Sequence, residues 1–166
     1  ILDHMSGDKK LRDQLNSGGD VFKAVAAGWK QCSVSDVTSQ QRAHAKQICY
    51  GILYGMGSVS LAKELGCSEK EAAEFVVAFK NRYLGLRNYI TKTVNMCQKK
   101  GYVETILHRV RFLPNIHSEQ PGVQAQAQRQ AVNTTIQGSA ADIVKVAMVN
   151  IDRQLLDKYP DTAITH

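Results

Sequence analysis

No apolar run in the 166 residues approaches the roughly 20 needed to cross a bilayer. The opening ILDHMSGDKK has neither a signal-peptide nor a transit-peptide layout. An intracellular compartment without a membrane partner is therefore expected. Cysteine is scarce and scattered: Cys32, Cys49, Cys67 and Cys97 never form a C-x-x-C pair. That excludes a zinc knuckle and a dithiol redox motif, and predicts reduced thiols. His4, His44, His108, His117 and His166 lack ligand spacing, so no metal is assigned to them. Only 3 prolines occur and low-complexity tracts are absent, which argues against disorder. No repeat at a fixed period appears, so a solenoid is not expected.

What is present is the composition of a folded chain, 43% hydrophobic and 22% charged, with a formal net charge of +6. This length suits one domain or a piece of something larger. The positive excess favours an anionic partner, nucleic acid included, although many proteins with such an excess bind nothing acidic.

Helix signals dominate. ILDHM reads as the end of an element, and SGDKK as a turn. Helical pieces begin at Lys10, NSGGD breaks them, and Asp20 is placed to cap VFKAVAAGWK before the loop QCSVSD. Thr38 with Gln41 forms a T-x-x-Q capping box for a helix running to Tyr54 and ended by Gly55 and Gly57. A short helix spans Leu61 to Leu65 and stops at Gly66. Ser68 with Glu71 caps EAAEFVVAFKNRY, and RNYITKTVNMCQKK follows, closed by Gly101. YVETIL is β-branched and alternating enough for a strand, with HRVR as the turn and RFLP as the return. VQAQAQRQAVNTTI and AADIVKVAMVNIDRQLL are expected as two helices separated by QGS, with Ser139 and Asp142 placed to cap the second. The fold class expected is mainly α with a small β-hairpin.

One stretch asks for chemistry. In RAHAKQICYGILYG, Arg42, Lys46, Tyr50 and Tyr54 advance about 40° per step, so they share one face within about 120°. Ala45, Ile48, Cys49 and Ile52 form a separate apolar arc that can dock on a core. Cations occupy the N-terminal half, where the helix dipole also favours anions, and rings occupy the C-terminal half. A polyphosphate and a base fit that order. A solvated basic face ending in two half-buried tyrosines fits it as well. Arg129, Asn133 and Gln137 are also four apart and share a helical face, as a polar solvated stripe would too.

The pattern R-x3-K-x3-Y-x3-YG resembles the fingers helix, motif B, of family A DNA polymerases. SGDKKLRDQLNSGGDVFKAVAAGWK resembles the stretch after motif A of that family. GYVETILHRVRFLP resembles its hairpin, and AQRQAVNTTIQGSAADIVK its palm helices. The resemblance covers nearly the whole chain and implies a right-hand polymerase fold, with 1–37 as palm and approach to the fingers, 38–100 as fingers helices, and 101–166 as hairpin and palm helices. It implies template-directed addition of deoxynucleotides to a primer 3′ end, with a DNA primer-template and deoxynucleoside triphosphates as partners. By the same resemblance, Arg42 and Lys46 would hold the nucleotide phosphates, and Lys46 would donate a proton to the leaving pyrophosphate. Tyr50 would pack on the sugar. Tyr54 and Gly55 would sit by the template base, and Arg129, Asn133 and Gln137 would reach the primer-template minor groove. Lys99, Lys100, Arg109 and Arg111 would be candidates for DNA phosphates.

QICYGILYGMG is most similar to a eukaryotic end-joining branch of the family, which implies double-strand-break repair and a nuclear location. A bacterial polymerase I role and a non-catalytic nucleic-acid-binding module are the alternatives. The family's Mg2+ is held by motif A and motif C carboxylates, which are expected just before Ile1 and beyond His166. The segment by itself is therefore expected to be inactive. Four positions depart from the family pattern. His108 stands for a glycine, Val110 for an arginine, Gln128 for a glutamate, and Phe22 for a histidine that contacts nucleotide.

Overall fold

The computed structural model describes residues 1–158; His166 and the end of the 101–166 segment lie outside the described residues. The chain forms two compact units, residues 2–96 and residues 97 onward.

In the first unit, α1 (Leu2–Ser6) and α2 (Lys9–Asn16) precede α3 (Val21–Lys30). Then follow α4 (Ser39–Leu53), α5 (Ser58–Leu65), α6 (Glu69–Arg82) and the start of α7 (Leu84–Lys100). Local chemistry sets these starts. The Asp20 carboxylate accepts from the Phe22 and Lys23 amides, while Thr38 with Gln41 and Ser68 with Glu71 make complete capping boxes. α5 begins at Ser58, three residues before the expected Leu61, because its initiation uses Gly57 without a side-chain cap.

Ala26 of α3 and Ala45 of α4 are fully buried, as small residues between two packed helices can be, with Val25, Ile48, Leu61, Phe75 and Phe79 completing the core. Residues 2–37 and 38–96 share one core. Tyr83 is buried, and its hydroxyl donates to Gln14 Oε1 at 2.9 Å; burial raises its pKa. Burial also pushes the Cys49 thiol up to about 12, and all four cysteines are free thiols.

The second unit holds a two-stranded antiparallel sheet, β1 (Tyr102–Glu104) with β2 (Val110–Phe112), in the register Tyr102 to Phe112 and Glu104 to Val110. A 3₁₀ turn, Pro114–His117, leads to α8 (Pro121–Asn133). Cys97, Val103, Leu113, Ile116, Ala127 and Ala131 form its core.

Three expectations are corrected here. First, Val110 belongs to β2 rather than to the turn, and β1 stops at Glu104 instead of running on to Leu107. The strand ends early because the Ile106 amide donates to Ser139 Oγ at 2.8 Å, not to a strand neighbour. Second, QGS does not break the helix: α8 passes through a π-turn, Thr134–Gly138, into α9 (Ser139–Lys158). Glycine at 138 serves close approach, since a Cβ there would lie 2.7 Å from Thr105 Cγ2. Third, Ser139 and Asp142 are not a cap. Ser139 is inside the helix with its hydroxyl bonded to the Thr135 carbonyl, and Asp142 is buried.

His108 takes a left-handed conformation, φ 61. Such a conformation costs on the order of 1 kcal/mol for a residue with a Cβ. The turn is closed by the His108 amide on the Thr105 carbonyl at 2.9 Å, and His108 Nδ1 lies 3.2 Å from Glu104 Oε2. Beyond Asp142, α9 exposes Ile143, Val144, Val146, Met148, Val149, Ile151 and Leu156. No helix among the described residues is long and apolar enough to cross a membrane.

Candidate functional site

α4 presents the two faces that its sequence encodes. Ala45, Ile48, Cys49 and Ile52 are buried, while Lys46, Tyr50 and Tyr54 are exposed and Arg42 is half-buried. The Tyr50 and Tyr54 rings stack with centroids 6.0 Å apart and planes 6° from parallel. Lys46 Nζ lies 5.9 Å from the Tyr50 ring and makes no ion pair among the described residues. Tyr54 closes the helix, its amide on the Tyr50 carbonyl at 2.8 Å, and Gly55 turns the chain away at φ 73. That left-handed step suits glycine and lets the backbone leave immediately beside the Tyr54 ring.

Two residues of this cluster escaped the sequence reading. Asp20, recognised there only as a cap, also accepts a hydrogen bond from Arg42 Nε through its second oxygen. That bond, more than the backbone donors, holds the Asp20 carboxyl below its ordinary pKa. Phe22, in the first turn of α3, lies under the Arg42 guanidinium at 5.6 Å and tilts against Tyr50 at 5.9 Å. Nothing local links positions 20 and 22 to position 42. A single usable signal exists: a capping aspartate has a second oxygen that the cap does not need.

The second group is presented unevenly. Arg129 and Gln137 are exposed, but Asn133 is half-buried, and its Oδ1 is shielded with no hydrogen-bond partner among the described residues. The four-residue spacing assumed one α-helical period. The π-turn starts between Asn133 and Gln137 and widens the winding there, so the three side chains are not equivalent members of one stripe.

Arg109 and Arg111 brace the second unit internally. Arg109 Nε donates to Asp142 Oδ1 at 2.9 Å and its Nη2 to the Gly138 carbonyl at 3.2 Å, while Arg111 Nη1 donates to Thr134 Oγ1 at 2.9 Å. Lys100 pairs with Glu104 at 3.5 Å, and Lys99 is exposed. The Thr105 hydroxyl, then the Arg109 guanidinium, hold the Asp142 carboxyl below the ordinary aspartate value. A depressed carboxylate contributes stability above its unfolded pKa near 3.8, and loses that contribution as pH falls through the folded value. Asp142→Asn should therefore melt lower than the parent at neutral pH, and its melting temperature should fall less steeply below about pH 4. Parallel pH profiles of melting temperature for the two proteins would contradict this pairing.

The profile of DNA polymerase family A matches residues 1–165. The chain belongs to this family. It is 52% identical over 155 residues to DNA polymerase theta of Mus musculus, covering 93% of the chain and 6% of that relative. It is 49% identical over 155 residues to DNA polymerase theta of Drosophila melanogaster, covering 93% of the chain and 8% of that relative. Among solved structures, the POL domain of Pol1 from M. smegmatis, in complex with DNA primer-template and dNTP, is 37% identical with a TM-score of 0.88. That match covers 95% of this chain and 28% of the other. The chain thus spans a small part of the length of its relatives.

The mainly α fold with a small hairpin agrees with family membership. Divalent ions are general in the family, yet among the described residues no three His, Cys, Asp or Glu side chains converge where a metal could be held. The described residues do not fit that group.

Proposed function

We propose that this chain is the fingers and part of the palm of a template-directed DNA polymerase that adds deoxynucleotides to a primer 3′ end. One observation carries the reading: two cations and two stacked rings project from the exposed face of α4, opposite a fully buried apolar stripe. A free-standing surface helix has no need to hold two tyrosines 41% and 36% exposed beside a lysine that makes no ion pair among the described residues. A triphosphate followed by a sugar and base supplies partners for all four.

In this reading Arg42 and Lys46 bind the phosphates, and Lys46 gives a proton to the departing pyrophosphate as charge builds on its oxygens. Tyr50 packs on the sugar, and a ring there favours tolerance of a missing 3′-hydroxyl. Tyr54 and Gly55 meet the template base. Arg129, Asn133 and Gln137 contact acceptors in the primer-template minor groove, which report pair geometry without reading sequence. Segments 1–37, 38–100 and 101–166 take the palm, fingers and palm assignments. The metal-holding carboxylates come from outside these residues, so the segment alone does not polymerise.

The higher identity to the theta relatives than to the Pol1 domain favours a theta-like role in double-strand-break repair, in the nucleus, over a polymerase I role. The apolar, exposed circumference of α9 supports burial within a larger protein. Primer extension is the test. The intact polymerase carrying this sequence should copy a template, and the isolated segment should not. An intact protein that binds primer-template without extending it would favour the non-catalytic module instead.

A further inference from the structure

We propose that Asp20 is a positioning residue for the nucleotide site: it holds Arg42 by Nε so that the terminal nitrogens of the guanidinium are presented to phosphate. This rests on the reading of the exposed α4 face as the triphosphate-binding face.

Several features converge on it. The Asp20 carboxylate is immobilised before Arg42 is considered, because Oδ1 accepts from the Phe22 amide at 3.0 Å and the Lys23 amide at 3.1 Å. Its other oxygen, fixed by the first, takes Arg42 Nε. The Phe22 ring lies under the guanidinium at 5.6 Å and limits its rotation. An arginine held by Nε keeps both Nη groups, the fork that matches two phosphate oxygens. Ala26 and Ala45, with no exposed surface, let α3 and α4 pack closely enough for the α3 cap to serve α4. The carboxylate is ionised at neutral pH, consistent with its lowered pKa, so the bond is charge-assisted.

A carboxylate near a phosphate site would by itself repel the ligand. Here its charge is neutralised by the arginine it holds, and the gain is orientation: an untethered arginine must give up rotamer freedom when the phosphate arrives. The Phe22 ring touches Arg42 and Tyr50 and adds no hydrogen-bond donor of its own.

The cap and the tether can be separated by mutation. Asn caps helices as well as Asp does, so Asp20→Asn keeps the α3 start while removing the charge that holds Arg42; Asp20→Ser keeps a cap with no second oxygen. In the intact polymerase, steady-state incorporation should show KM for deoxynucleotide rising about 10-fold in both variants, with primer-template Kd unchanged and only a small drop in melting temperature from loss of the partly exposed Asp20–Arg42 pair. Arg42→Ala should raise KM further. Adding Asp20→Asn to Arg42→Ala should then have no additional effect, because the tether has nothing left to hold. Unchanged KM in the two Asp20 variants, with Arg42→Ala impaired, overturns the positioning role alone. An equal KM increase from Asp20→Asn in both backgrounds also overturns it. Arg42→Ala with normal KM overturns the triphosphate reading of α4 together with this proposal.

Discussion

Replacing Lys46 with alanine in the intact polymerase should lower kcat for nucleotide incorporation by roughly two to three orders of magnitude, with primer-template affinity within about twofold of the parent. The ammonium is exposed, lacks an ion pair among the described residues and shares a face with Arg42 and Tyr50. Nothing in the fold requires it. Its removal should therefore leave stability untouched and act where charge accumulates on the leaving pyrophosphate. Lys46→Arg separates two contributions: it keeps the positive charge but cannot give up a proton in this pH range. Partial rescue by arginine assigns part of the effect to charge and the remainder to proton transfer. A variant that binds DNA poorly, or that changes KM alone, would contradict the assignment of Lys46 to the transition state. Pre-steady-state single-turnover rates make the distinction, since they isolate chemistry from release.

The opposite face of the same helix gives the second large effect. Ile48 has 0% relative exposure and lies in the core with Ala26, Ala45 and Phe79. Ile48→Ala removes buried methyl groups and leaves a cavity, at a cost of about 3–4 kcal/mol. Urea denaturation should show a lower midpoint with an unchanged slope, since the surface exposed on unfolding stays nearly the same. Incorporation per folded molecule should remain close to the parent value. A loss below 1 kcal/mol would mean that α4 is not anchored through this stripe, and that its exposed face is not held rigidly.

The two faces of α4 are legible in the sequence. Its cap, its apolar arc and its polar arc are all written within about fifteen residues, and helical geometry converts that spacing into faces without help from the rest of the chain. The same holds for the Asp20 and Ser68 caps and for the presence of the hairpin, though not for its bounds, which depend on Ser139.

What was not legible depends on distant partners. Gly138 and Ser139 look like a helix break, yet Thr105 packs against the glycine and the Ile106 amide bonds to the serine, so tertiary contacts favour a π-turn. Asp142 looks like a cap because a carboxylate near a helix start usually is one, but Arg109 lies 33 residues earlier in sequence and reaches it across the hairpin loop. Arg109 and Arg111, two cations that the resemblance makes candidates for DNA phosphates, are turned to bonds inside the unit. Asp20 illustrates the remaining case. Its local role was correct and incomplete, because the oxygen that reaches Arg42 becomes useful only when α3 and α4 have packed.

The most direct measurement is a structure of the intact polymerase with primer-template and a non-hydrolysable deoxynucleoside triphosphate. The triphosphate should lie along α4 with phosphate oxygens within hydrogen-bonding distance of the Arg42 guanidinium and Lys46 Nζ, and with Tyr50 against the sugar. A triphosphate held elsewhere, with these side chains still facing solvent, would contradict the account.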